Sequence, residues 1–182
     1  MDKSIGLVEY KTTATGITAA DKMVKSAEVE ILEAKTVCPG KYIVLLCGKL
    51  SAVNAAIESG KADFGDKVID SFVLGNPHES IFKAISGVSE YESLESLGIL
   101  ETFSAASSIV AADIAAKTAR VELLEIRLAR GMCGKSYVIF TGELAAVEAA
   151  VSNASEKISE EGMLLDKSII PNPDNKIWEK IL

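Results

Sequence analysis

Ser4-Ile5-Gly6-Leu7-Val8-Glu9 recurs ninety-two positions later as Ser96-Leu97-Gly98-Ile99-Leu100-Glu101, and the recurrence decides the architecture. At that shift residues 4–33 and 96–125 agree at 14 of 30 positions, among them Ala19-Ala20-Asp21 with Ala111-Ala112-Asp113 and Lys25 with Lys117. Past the middle of each repeat the shift becomes 94, pairing Gly40-Lys41 with Gly134-Lys135 and Ala55-Ala56 with Ala149-Ala150. Near the end it becomes 96, pairing Asp70 with Asp166 and Asn76-Pro77 with Asn172-Pro173. The chain is a tandem duplication with small insertions at loops. Domains are expected over 1–90 and 91–182, with a linker near 87–95.

Each repeat reads as the same string of elements. Residues 4–11 run apolar as a strand does. Ile17, Ala20, Val24 and Ala27 keep helical spacing behind a cap near Thr15 or Gly16. A second strand is expected over 28–37 with Val29, Ile31 and Val37 facing inward. The continuous apolar run Tyr42-Ile43-Val44-Leu45-Leu46-Cys47 suits a central buried strand. An alanine-rich helix over 51–59, a fourth strand over 68–74 and a short helix over 78–86 complete the unit. The order βαββαβ plus a helix, taken twice, predicts an α/β (α+β) fold. In each domain a four-stranded antiparallel sheet carries its helices on one face. Trp178 is expected to hold the terminal helix against the core, as Phe82 would in the first repeat.

Composition narrows the function. Of 182 residues 48% are hydrophobic, ample for packed cores, and the formal net charge of −7 argues against nucleic acid or an anionic membrane as partner. No apolar run reaches the length of a membrane span, and no basic-then-apolar leader is legible. Three widely spaced cysteines do not form a disulfide framework, which predicts a reduced, cytoplasmic protein. A single histidine, His78, leaves little for a multi-histidine metal site or a histidine-based triad. No phosphate-binding glycine loop and no HExxH pattern is present, so an enzyme is not expected.

The chemistry is expected at Lys35-Thr36-Val37-Cys38-Pro39-Gly40-Lys41. It reads as a tight reversal with Cys38 at its first corner, Pro39 at the second turn position and Gly40 supplying the positive φ of a type II turn. The thiol would then hold a defined place at a loop tip. The matching stretch of the second repeat, Arg130-Gly131-Met132-Cys133-Gly134-Lys135, puts Met132 at the place of Cys38 and Cys133 at that of Pro39. Cys133 reads as a loop thiol pointing sideways, and Cys47, on the apolar strand, as core.

The strand Ile5–Glu9, the helix segment Ala20–Ala27, the hairpin with Gly40-Lys41 and the closing Asn76-Pro77-His78 together resemble the shell-protein domain of bacterial microcompartments. Both repeats carry the resemblance. It extends to the tandem, trimeric branch of that family, and the Cys-Pro-Gly turn to its members with loop cysteines. The resemblance implies a flat pseudo-hexameric homotrimer that packs with other shell proteins in a two-dimensional layer. It further implies a central pore lined by Val37, Cys38, Pro39, Gly40, Met132, Cys133 and Gly134. Three copies of Cys38 would bind one 4Fe–4S cluster per trimer, for electron relay or cluster transfer across the shell, with an enclosed redox enzyme as a further partner. Strict three-fold symmetry supplies no single fourth protein thiolate. Lys25, Lys117, Asn76, His78 and Asn172 fall at tile-edge positions. The family often has arginine ahead of the closing Pro-His; here Asn76 and Asn172 stand instead, and Asp174 replaces the histidine in the second repeat. Two other readings stay open at this stage: a tile with a plain metabolite pore and no cluster, and a tandem regulatory domain that senses small molecules.

Overall fold

A computed structural model describes residues 4–182. The first repeat forms β1 (Ser4–Tyr10), α1 (Thr13–Ser26), β2 (Val29–Val37), β3 (Lys41–Gly48), α2 (Leu50–Ala62), β4 (Val68–Leu74) and α3 (Ser80–Ser86). The second forms β5 (Ser96–Thr102), α4 (Ala105–Thr118), β6 (Glu122–Arg127), β7 (Ser136–Gly142), α5 (Leu144–Glu160), β8 (Leu164–Ile170) and α6 (Asn175–Ile181). Each repeat builds one four-stranded antiparallel sheet, ordered β2-β3-β1-β4 and β6-β7-β5-β8, so the duplication seen in the sequence is also a duplication of topology.

The apolar runs become the two central strands of each sheet. In the first, Val8 and Tyr10 of β1 and Tyr42, Val44 and Leu46 of β3 pack against Ala19, Ala20 and Met23 of α1 and Val53, Ala56 and Ile57 of α2. Small side chains let the helices lie close: a Cβ on Gly16 would stand only 2.4 Å from the ring of Tyr42. The alternate residues Ile5, Leu7, Ile43 and Leu45 point the other way and are buried too, which explains why these strands run apolar without alternation. In the second sheet Lys167 of β8 reaches Ser155 of α5 on one face, while Trp178 of α6 packs on Leu97, Leu124 and Ile139 of the other. Trp178 therefore does hold the terminal helix to the sheet. In α3 the fully enclosed residues are Ile81 and Ala84, and Phe82 is only half-buried, because α3 lies against β6 along its Ile81–Ala84 side.

The inward expectation for β2 fails in part, and the helical spacing on α1 does not mark its buried face. Ile31 is exposed and Val29 half-buried, with only Val37 enclosed, because β2 is an edge strand whose register shifts between Ile31 and Glu33. On α1 the buried stripe is Thr15, Gly16, Ala19, Ala20 and Met23, which turns Ile17 and Val24 outward.

The chain divides into two compact units that interleave in sequence. The first takes the described chain up to Pro77 together with Ser104–Ser107 and Ala129–Gly134; the second takes His78–Phe103, Ser108–Leu128 and Lys135–Leu182. The irregular segment 87–95 and the helix α3 before it fall within the second unit.

Candidate functional site

The turn between β2 and β3 belongs to the first unit and differs from the expected type II. The Gly40 N–H donates to the Val37 carbonyl at 2.9 Å and the Cys38–Pro39 bond is cis. Cys38 and Pro39 are thus the two central residues, with a cis proline second, which is a type VI turn. The reversal sits one residue earlier than the spacing suggested, because the closing hydrogen bond spans 37–40. Gly40 still needs its lack of side chain, at φ +102° with open space around it. Cys38 is half-buried with a free thiol, while Pro39 and Gly40 are exposed.

The segment Ala129–Gly134 lies against this turn within the same unit. The Cys38 N–H donates to the Ala129 carbonyl at 3.0 Å. A Cβ on Gly134 would approach the Cys38 carbonyl to 3.0 Å and the Lys41 side chain to 2.9 Å, so only glycine allows the two turns this contact. Cys38, Pro39 and Gly40 line an open hollow of about 440 Å³ with Arg130 and Gly131. Met132 is half-buried, and Cys133 is exposed in a left-handed backbone conformation, φ 52°.

Beneath the turn lies a polar cluster that the sequence reading did not assign. Lys41 Nζ pairs with Glu9 Oε1 at 2.8 Å and reaches the Gly134 carbonyl at 3.4 Å. Glu9 is wholly buried, and its second oxygen accepts the Ala105 N–H at 2.9 Å. Burial pushes its carboxyl above the usual carboxylate range and nearby Asp70 adds to this, while Lys41 and the Ala105 N–H pull it back. Asp70, which faces Glu9 across β1 and β4, accepts from the hydroxyls of Ser104 and of Ser107, the latter at 2.7 Å. Glu9 thus satisfies the first orphan N–H of α4, and Asp70 holds the two serine hydroxyls beside it, of which Ser104 accepts the Ser107 N–H at 3.0 Å. The one available signal was that Glu9 shares a strand face with the buried Ile5 and Leu7.

Cys47 is core as expected, 1% exposed, its thiol turned to the Glu30 carboxylate at 3.8 Å. Among the described residues no three His, Cys, Asp or Glu side chains of one chain come together as metal ligands. The edge candidates separate. Lys25 makes an exposed pair with Asp21 at 2.7 Å. Lys117 pairs with Asp113 at the same distance, but Asp113 is buried and also accepts the His78 N–H at 2.8 Å. The His78 ring meets the Ser80 hydroxyl at 2.7 Å. Asn76 and Asn172 are exposed, and Asp174, at the place of His78, caps α6 by accepting the Lys176 N–H at 2.9 Å.

The BMC domain matches this chain twice, over residues 4–77 and 96–173. The chain is 41% identical to the bacterial microcompartment shell protein PduT of Citrobacter freundii, across all of this chain and 99% of that one. It is 34% identical over 89 residues to the carboxysome shell protein CsoS1 of Prochlorococcus marinus, covering 47% of this chain and 85% of that one. A crystal structure of a microcompartment protein from Desulfitobacterium hafniense superposes with a TM-score of 0.88 at 49% identity, covering 98% of this chain and 99% of the other. A fused, permuted hexameric shell protein of the RMM microcompartment shares the fold at a TM-score of 0.66 and 21% identity, over 86% and 81%. No described helix is long and apolar enough to cross a membrane. With two copies of the domain filling nearly its whole length, the chain belongs to the BMC-domain family of bacterial microcompartment shell proteins.

Proposed function

We propose that the protein is a trimeric shell tile whose central opening is edged by the Cys38 turns and holds one 4Fe–4S cluster on three Cys38 thiolates. The observation that carries this reading is the anchoring of Cys38. Its main chain is tied to Ala129 and its thiol is free and half-buried at a turn tip, so copies around a three-fold axis would present the same soft ligand in the same orientation. One chain supplies one such thiol, which suits ligation by symmetry. Bound there, the cluster supplies one-electron chemistry, and the tile would relay electrons or pass the cluster across the wall, with an enclosed redox enzyme as the natural partner. Arg130 beside the hollow adds positive charge where the thiolates would gather.

Cys38→Ser tests this directly. Serine fits the same turn and its hydroxyl binds iron poorly. After anaerobic reconstitution the variant should remain a trimer and lose the bound iron, the brown colour and the paramagnetic signal on reduction. Cys133→Ser should keep all three. Full iron in the Cys38 variant would remove the cluster assignment and leave a tile with a plain metabolite passage, which needs no ligand at this position.

Of the two matched lysines we assign the edge role to Lys25, whose ammonium is exposed and paired with the exposed Asp21. Lys25→Asp should abolish extended layers in negative-stain micrographs and leave the trimer intact. Lys117→Asp should instead lower thermal stability, because it sets a second carboxylate against the buried Asp113. Layers unchanged in the Lys25 variant would take this residue off the edge.

A further inference from the structure

The segment 87–95 between the two repeats is irregular, yet it is fastened at three points within the second unit. Lys83 Nζ on α3 pairs with Glu90 Oε2 at 2.7 Å. The Glu92 N–H donates to the Glu122 carboxylate at 3.1 Å, and the Glu95 N–H to the Thr141 hydroxyl at 3.0 Å. Between this segment, α3 and the entry to β6 a hollow of about 320 Å³ stays open, a volume at the lower end of the range for small-ligand pockets. One wall is apolar, formed by the buried Val121 and Leu123.

The polar walls hold more acceptors than the protein itself uses. Glu79 caps no helix, and among the described residues its carboxylate makes no hydrogen bond or ion pair. Glu90 gives one oxygen to Lys83, and both oxygens of Glu122 share a single N–H. Three carboxylates thus stand against the one ammonium of Lys83, while Nδ1 of His78 is taken up by Ser80. Ser89 gives a second, independent sign. It lines the same hollow, and its hydroxyl oxygen is buried with no partner among the described residues. Buried hydroxyls are bonded almost without exception, so an orphan on the wall of a hollow is matched by what enters it.

We propose that this hollow is a binding site for a small aliphatic amine in its protonated form, its ammonium among the carboxylates of Glu79, Glu90 and Glu122 and its carbon chain on Val121 and Leu123. An ammonium brings three donors and no acceptor, which is what the unspent oxygens and the Ser89 hydroxyl lack. An anion would meet three like charges. A bare metal ion is not favoured, because no three ligating side chains come together among the described residues. The site belongs wholly to the second unit and the Cys38 turn to the first, so each reading stands or falls without the other. Since one wall is the segment 87–95 itself, a bound amine would hold that segment to α3 and β6.

Propylamine, propanol and propionate, alike in size and different in charge, test it on the full-length protein at neutral pH and low salt. In an NMR titration propylamine should saturate a single site per chain, and amide exchange across 87–95 should slow in its presence. Propanol should bind roughly tenfold more weakly, as for the loss of one charged hydrogen bond, and propionate not at all. Glu79→Gln, at an exposed position, should weaken propylamine by a similar factor and leave the unfolding temperature unchanged. Glu122→Gln, which keeps an acceptor for the Glu92 N–H, repeats the test from the other wall. Glu156→Gln removes an exposed charge elsewhere on the chain and should change nothing. Equal binding of propanol and propylamine would overturn the ammonium assignment. A propylamine response weakened alike by all three variants would be general attraction to a chain of net charge −7, and would overturn the site. So would the lack of any saturable response.

Discussion

Truncated to residues 1–92, the chain will not fold as a cooperative monomer, although it contains a complete copy of the repeat. The first unit draws Ser104–Ser107 and Ala129–Gly134 from beyond that cut. Without them the buried Glu9 loses the Ala105 N–H, Asp70 loses both serine hydroxyls, and the Cys38 N–H loses the Ala129 carbonyl. Each buried polar group left without a partner costs about 1–3 kcal/mol. Several together rival the roughly 5–15 kcal/mol that a domain has in total. The helix α3 adds to the loss, since β6, on which it packs, is gone and its Ile81 and Ala84 meet water. Urea titration followed by circular dichroism, with size measured on the same sample, should show a non-cooperative or aggregated species. A soluble fragment with a sharp transition and a monomer's mass would mean that the borrowed segments are dispensable.

The duplication made the fold legible, because every element was seen twice and the apolar run at 42–47 could only be a central strand. What the sequence could not show is where the two copies stop being equivalent. Lys25 and Lys117 match by position, yet one pairs with an exposed acid and the other with a buried one. Ile17 and Ile109 match, yet one faces water and the other the core. Periodicity assigns a residue to a face of its own helix and is silent on what covers that face. The turn at Cys38 was legible as a turn from Pro39-Gly40, but its register depended on a cis bond that the residue pattern does not encode. The Glu9–Lys41 pair was hidden for a different reason. Its members lie 32 positions apart, on neighbouring strands, and a lone acid at a strand end is ordinarily solvated.

That pair sets the second large effect. Lys41→Met should destabilise the protein by about 3–5 kcal/mol, the usual cost of removing one partner from a buried ion pair. The loss comes less from the attraction forgone than from the Glu9 carboxylate left charged in a site wholly closed to solvent. The dependence on pH follows from the direction of the Glu9 shift. Its folded carboxyl lies above the unfolded value of 4.5, chiefly through burial. The folded protein therefore holds this proton more tightly than the unfolded chain, and stability falls as pH rises from 4.5 through the raised value. Lys41 is what restrains the shift, so in the variant the carboxyl moves higher still and the penalty extends nearer to neutrality. The difference between parent and variant should be largest near pH 7 and shrink on acidification, as Glu9 takes up its proton in both. Glu9→Gln beside Lys41→Met should recover part of the stability, since it removes the charge and keeps an acceptor for the Ala105 N–H. Denaturant midpoints at pH 5 and pH 7 for the two single variants and the double variant measure all of this. A Lys41→Met penalty that is equal at both pH values would show that Glu9 is neutral in the folded parent and that the lysine acts only through packing.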